Sequence, residues 1–376
     1  MIQDEIARFS GRLALQQRVL PTYRAPFFDL LAGACEDGLS VFAGQPLPVE
    51  HIAVSDRLEK AQYAAARNRH FAHPGSPFYQ CWQPGIVQWL ERWDPDALIV
   101  EANPRYPNNR RAIRWMHARG RPALGWGLGA PPLSGRLAAW RARRRAVFIN
   151  SLDALIAYSQ AGADQYRRLG FPAGRIFVAP NAVAPRPQAP PPERPAGFQG
   201  RPAVLFVGRL QARKRIDNLL RACAALPEPL QPRLWIVGDG PARADFEALA
   251  GQIYPRAEFT GAKFGEALDA CFAAADLFVL PGTGGLAVQQ AMASGLPVIV
   301  AQADGTQSDL VRIVNGWQVP PGDLEALTGA LLAALSDVPR LRRMGAVSYR
   351  IVAEEINLER MAAVFVQALA VLKNVT

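Results

Sequence analysis

A chain of 376 residues is too long for one ordinary core and suits two domains, each able to bury a substantial apolar interior. Half of the residues are hydrophobic and a fifth are charged, which is globular composition. The net charge of +10, carried almost entirely by arginine, favours anionic partners, but no helix-turn-helix, zinc-finger or aromatic sheet motif accompanies it, so no nucleic-acid partner is expected.

The opening residues show no secretory pattern, and no window of about 18 apolar residues suggests a membrane span. The four cysteines (Cys35, Cys81, Cys223, Cys271) are scattered without metal-type spacing, and a disulfide framework is not expected at this size. A reducing cytoplasm is the expected compartment.

In chain order, GRLALQQRVLP reads as a strand, YRAPFFDLLAGAC as a helix and LSVFAG as a second strand. The stretch HIAVSDRLEKAQYAAARNRHFAHPGSPFYQCWQPG is irregular and receives no strand. DALIVEANP and RPALGWGLGAPP are buried strands ending in loops; DALIAYSQAGADQYRRLG reads as strand, Ser159 cap and helix, and RIFVAPNAV closes the half. APRPQAPPPERPAGFQGRP is too rich in proline for helix or central strand and reads as a semi-rigid connector. Beyond it, AVLFVGRL, PRLWIVGDG, AEFTG, LFVLPG and LPVIVA are five apolar runs, each followed by a loop and a helical pattern. The rest, from DLEALTGALL onward, is helical throughout, with Asp323 as its first cap. The alternation predicts an α/β protein with parallel sheets, whose ligands bind outside the carboxyl ends of the strands.

Two loops at such ends carry candidate chemistry. In VGRLQARKRIDNLLRA, Arg209 and Lys214 sit five residues apart around a turn, where a guanidinium and an ammonium can converge on one phosphate. In GTGGLAVQQAMASG, the glycines 282, 284 and 285 let backbone approach a ligand, the helix start near Leu286 presents unpaired N–H groups, and Gln290 stands one turn further on. Ordinary readings stay open for both: solvated charges in the first, a tight turn with a surface glutamine in the second. FTGAK adds a weaker signal, exposed backbone at Gly261 able to pair with a nucleobase edge.

GRLAAWRARRRAVF, residues 135–148, packs five arginines among Leu137, Trp140, Val147 and Phe148 with no acid. The segment from Arg136 to Arg145 has the pattern of a basic amphipathic helix on an anionic membrane surface. A solvated face and a clamp for a diphosphate-lipid acceptor are the alternatives.

Taken in order, VGRLQARKRIDNLL, LWIVGDGP, FTG, ADLFVLPGTGGLAVQQAMASGLPVI and NGWQVPPGD resemble the C-terminal half of the retaining family-four glycosyltransferases of GT-B architecture, also known as group 1 glycosyl transferases. LIAYSQAGADQYRRLG with VAPNAV resembles the end of that family's N-terminal domain. The resemblance implies two Rossmann-like domains facing across a cleft: an acceptor-binding domain over residues 1–184, a proline-rich linker over 185–202, and a nucleotide-sugar-binding domain over 203–354. A C-terminal helix over 355–376 would pack back on the first domain. It further implies a UDP- or GDP-sugar donor, with Gly208, Arg209 and Lys214 at its diphosphate and Arg209 and Lys214 stabilising the leaving nucleotide. Gly261 and Ala262 would meet the base, Thr283, Gly284, Gly285, Leu286 and Ala287 the sugar or phosphate, and Gln290 the ribose. No metal is expected, because the cations and the helix terminus neutralise the diphosphate.

The sequence departs from the family at two positions where glutamates usually stand; here they are Gly282 and Gln290. In the first half, Trp126 and Leu128 occupy the loop where a histidine is common, and the four histidines (His51, His70, His73, His117) read as surface or loop residues. Tyr23, Arg24, Glu101 and Asn103, with Arg105, are the polar candidates for a glycan or lipid-linked acceptor, Glu101 being the carboxylate at a clear strand end. The expected function is sugar transfer, with retention, in assembly of a cell-surface glycan such as a lipopolysaccharide-type polymer, by a cytoplasmic protein peripheral to the membrane. Two rivals stay open: a non-catalytic sugar-nucleotide-binding partner, favoured by Gly282 and Gln290 and opposed by Arg209 and Lys214, and a GT-B sugar-nucleotide epimerase.

Overall fold

The computed structural model describes residues 7–50, 52–73, 76–284, 286–303 and 305–373. Two compact units result, Met1–Val183 together with Leu358–Thr376, and Ala184–Asn357.

The first unit contains, in chain order, β1 (Leu13–Val19), α1 (Ala25–Gly33), β2 (Leu39–Gly44), β3 (Gln62–Ala65), β4 (Arg69–Phe71), β5 (Gln80–Trp82), α2 (Ile86–Trp93), β6 (Ala97–Glu101), α3 (Pro107–His117), β7 (Ala123–Gly127), α4 (Ala138–Ile149), β8 (Ala154–Ala157), α5 (Gln160–Arg168) and β9 (Ile176–Val178). Seven of the strands form a parallel sheet in the order β3-β2-β1-β6-β7-β8-β9, while β4 and β5 pair as a separate antiparallel ribbon. These two, with β3, fall in the stretch where no strand was expected. These strands are only three or four residues long and nearly all exposed or half-exposed, so no clear apolar alternation marks them. Ser159 caps α5 as anticipated, its Oγ accepting from Gly162 N at 3.0 Å.

Unusually for a central strand, β1 buries two glutamines, and their amides are satisfied internally. Gln16 donates to Gln83 Oε1 at 2.6 Å and accepts from Asn109 Nδ2 at 2.9 Å, while Gln17 donates to the Gln16 carbonyl at 3.2 Å.

The second unit holds β10 (Ala203–Val207), α6 (Ile216–Ala224), β11 (Arg233–Val237), α7 (Arg243–Ile253), β12 (Ala257–Gly261), α8 (Glu266–Ala274), β13 (Leu277–Leu280), α9 (Leu286–Ala293), β14 (Val298–Ala301), α10 (Thr306–Leu310), β15 (Gly316–Val319), α11 (Leu324–Leu335) and α12 (Val338–Arg350). Its six parallel strands run β12-β11-β10-β13-β14-β15. The sixth, β15, lies in NGWQVPP and was not expected; it is a four-residue edge strand, GWQV, without the continuous apolar run that marks β13 and β14. Asp323 caps α11 by accepting from Ala326 N at 2.9 Å.

The proline-rich segment belongs to this unit and is no free connector. Arg194 donates to the carbonyls of Ala275 and Phe272 at 2.9 Å each and of Ser294 at 2.8 Å, strapping the segment to the ends of α8 and α9. A pattern of prolines announces extended chain, but it does not reveal that one arginine within it will satisfy helix-terminal carbonyls.

The last helix, α13 (Leu358–Lys373), is part of the first unit. Phe365 sets its ring edge against Phe27 at 5.0 Å and Trp126 at 5.1 Å between centroids, and a fully buried phenylalanine of this kind contributes about 1.5–3 kcal/mol.

Candidate functional site

Both sheets reverse strand order beside their first strand: between β1 and β6 in the first unit, between β10 and β13 in the second. At such a switch point the following helices depart to opposite faces, leaving a crevice at the carboxyl ends of the two strands. The candidate residues of the second unit gather there.

Beyond β10 the chain passes Gly208 and the half-buried Arg209, then closes a 3₁₀ turn over Ala212–Lys214 and enters α6 through Arg215 at φ +54°. Beyond β13 it passes Gly282, Thr283 and Gly284. Three hydrogen bonds clasp the two loops: Lys214 Nζ donates to the Thr283 carbonyl at 2.6 Å, Arg213 Nη1 to Thr283 Oγ1 at 3.0 Å, and Thr283 N to the Arg213 carbonyl at 3.2 Å. Lys214 is only 8% exposed. Burial, with Arg213 adding repulsion, pulls its pKa from an ordinary lysine value down to about 8.

The clasp explains the first departure from the family pattern. A Cβ added at Gly282 would lie 2.6 Å from Lys214 Cα and closer still to the Arg213 carbonyl oxygen, so the packing of the loops leaves no room for any side chain. Gly284, at φ +120°, would drive a Cβ into Lys214 Nζ. The pair of amides opening α9 divides by burial. Gln289 is buried and donates to the Ile356 carbonyl at 2.5 Å, a structural role, whereas Gln290, Leu286 and Thr283 are exposed and Ala287 half-buried. Gly285 lies outside the described residues. Gly261 ends β12 at φ +74° beside the exposed Ala262, and the Gly261 carbonyl accepts from Gly238 N at 2.8 Å, tying the β11 and β12 loops together.

The first unit carries a cavity of about 490 Å³ whose wall includes Glu101, Asn103, Arg105, Trp126, Leu128 and Tyr158. Glu101 accepts hydrogen bonds from Arg18 N and the Tyr106 side chain, and burial pushes its carboxyl pKa up. Asn103 Oδ1 accepts from Arg105 N at 3.1 Å. Tyr23 and Arg24 are not lining residues. Arg24, placed at the acceptor by the sequence reading, is 4% exposed; its guanidinium lies 4.8 Å over the Trp126 ring and donates to Asn181 Oδ1. It supports the first loop from beneath because cation–π stacking and the amide satisfy it internally.

The basic segment that the sequence offered to a membrane surface, to solvent or to an acceptor clamp forms α4, and Trp140, Arg141, Arg144 and Arg145 line this cavity, a spacing that places them along one side of the helix. The setting of His70 was not legible in the sequence: its Nδ1 is 2.8 Å from Tyr79 Oη, and burial and Arg18, itself paired to Glu50 at 2.8 Å, lower its pKa. His51 lies outside the described residues, and His117 meets Asp153 at 2.9 Å. Among the described residues no three histidine, cysteine or carboxylate side chains come together as a metal site.

Two family models match this chain, Glycosyltransferase Family 4 over residues 41–186 and Glycosyl transferases group 1 over residues 201–337. The chain belongs to the GT-B glycosyltransferases. A GDP-mannose-dependent alpha-mannosyltransferase of Mycobacterium tuberculosis (strain CDC 1551 / Oshkosh) is 40% identical to it over 131 residues, 34% of this chain and 32% of the relative. In that relative and two further curated ones the chain spans between 28% and 38% of their length. By structure, a sucrose-phosphate synthase from Thermosynechococcus elongatus superposes with TM-score 0.70 at 20% identity, covering 97% of this chain and 100% of the other. HepE of Anabaena in complex with UDP gives 0.68 at 18% identity, covering 96% and 99%. These structural likenesses show the fold.

For this glycosyltransferase the clasp makes two measurable demands. Gly282→Ala will lower stability to chemical denaturation by about 1–3 kcal/mol, because overpacking against backbone finds no rotamer escape; an unchanged midpoint would show that the loops are looser than described. Affinity for a nucleoside diphosphate will hold up to about pH 8 and fall above it as the Lys214 ammonium loses its proton, with proton uptake on binding, since an anion raises the depressed pKa. Calorimetry between pH 7 and pH 9 will show the decline in the native protein and not in Lys214→Arg, whose charge persists.

Proposed function

We propose that this glycosyltransferase transfers a sugar with retention from a nucleotide-sugar donor to a glycan or lipid-linked acceptor in cell-surface polysaccharide assembly. The observation that carries the reading is the clasp at the second unit's switch point. It holds a buried lysine, with Arg209 and Arg213 nearby in the chain, beside glycine-rich backbone and the N-terminus of α9. Preorganised cations and amides of this kind stabilise charge as it develops on a departing diphosphate, which is the main electrostatic requirement of the reaction.

The chemistry requires the bond between the anomeric carbon and the diphosphate oxygen to break as the acceptor oxygen attacks from the same face. The departing phosphate oxygen takes the acceptor proton, so no protein base enters the balance. Arg209 and Lys214 stabilise the leaving charge, Gln290 meets a ribose hydroxyl, and backbone at Gly261 and Ala262 meets the base. Gly208, Thr283, Gly284, Leu286 and Ala287 shape the seat for phosphate and sugar, and no metal is required. HepE is described in complex with UDP and the mycobacterial relative is named for GDP-mannose, so UDP- and GDP-sugars form the donor panel. Glu101 and Asn103, on the cavity wall of the first unit, take the acceptor role; the exposed Tyr23 belongs to the adjoining loop.

The segment leading into α4 and the helix itself also expose Arg136, Leu137, Arg143 and Val147, which supports peripheral contact with an anionic membrane from the cytoplasmic side. Among the described residues no helix is long and apolar enough to cross a membrane. The non-catalytic alternative leaned on Gly282 and Gln290, and the loop packing supplies a separate reason for the glycine.

Arg209→Ala and Lys214→Ala will each reduce turnover of a nucleotide-sugar by about 100-fold or more, by analogy with loss of a preorganised charge-stabilising donor, while the chains remain folded by circular dichroism. Turnover will survive a metal chelator. Folded variants with full turnover would exclude these side chains from the reaction.

A further inference from the structure

The cavity of the first unit has a wall composition that its acceptor role does not require. Four arginines line it, Arg105 from the β6 loop and Arg141, Arg144 and Arg145 from α4, against a single carboxylate, Glu101. Among the described residues none of the four guanidiniums is paired with an acid. Arg105, Arg141 and Arg145 are half-buried and Arg144 is exposed, and holding like charges together without counterions is costly unless an anion is shared among them. Arg144 lies 4.7 Å over the exposed ring of Trp140, and Arg145 gives one N–H to the Pro131 carbonyl at 2.8 Å, so both heads are oriented by the wall itself.

Guanidiniums without an acid partner suit an oxyanion with several acceptor oxygens, while the rings of Trp140 and Phe78 supply apolar contact beside it.

We propose that this cavity seats a phosphate group carried by the acceptor, as a phosphomonoester or diphosphate next to an apolar moiety, with Arg141 and Arg144 as its principal ligands. The inference rests on the transfer reading only in calling the ligand an acceptor; the anion seat itself stands on the cavity.

The test uses the full chain with its donor site saturated by UDP, titrated calorimetrically with inorganic phosphate and with dihexanoyl phosphatidic acid below its micelle threshold. Phosphatidylglycerol vesicles serve as the surface probe. Both soluble probes will bind and slow hydrogen exchange in residues 138–149. Arg141→Gln combined with Arg144→Gln will weaken them at least about tenfold with UDP affinity unchanged. Soluble probes that fail to bind the native chain, or that bind the double variant equally well, overturn the seat; so does binding confined to vesicles, which assigns the arginines to a membrane surface. Failure of UDP to bind would count against the donor reading alone, since the phosphate titration still reports on the cavity.

Discussion

The buried Lys214 ammonium, hydrogen-bonded to the Thr283 carbonyl, is the contact on which the second unit's site depends. A lysine is rarely taken so far out of water, and here the cost is visible as a pKa drawn down to about 8. What the protein gains is position. The charge is held between two strand-end loops that would otherwise move independently, and the glycines at 282 and 284 are the condition for that closeness. An anion arriving at the crevice meets a charge already desolvated and fixed, which is the arrangement that makes electrostatic stabilisation strong.

The same architectural rule organises both units. Parallel strands bring every following loop to one edge, and the reversal of order beside β1 and β10 opens that edge where backbone and side chains can reach a ligand. The units differ in how they fill it. In the second, glycine-rich loops and a clasped lysine form the opening. In the first, a network of buried amides around Gln16, Gln83 and Asn109 underlies Glu101, and α4 adds arginines to the wall of the adjacent cavity.

Much of this was legible in the residues. Apolar runs bounded by glycine and proline marked the principal strands, and the spacing of Arg209, Lys214 and the 282–285 glycines marked the two loops at the second unit's switch point. What stayed hidden depended on contacts distant in sequence. The ribbon of β4 and β5 is made of two three-residue strands, too short for any periodicity to report it. Arg24 read as a loop cation available to substrate, yet it is taken up by Trp126 and Asn181, more than a hundred positions away. Gly282 read as a lost carboxylate, because only the packed turn at Arg213 and Lys214 shows that any side chain would collide there. Arg194 sat within a proline run, and nothing local announced the helix-end carbonyls it holds.

We propose that one edge of the second unit, built on the Lys214 clasp, holds the nucleotide of the donor, and hydrogen–deuterium exchange of the full chain with and without UDP reads this out. Protection will concentrate in residues 208–216 and 281–290, with little change along β4 and β5. Protection confined to the first unit, or none under conditions where UDP demonstrably binds, would place the nucleotide elsewhere.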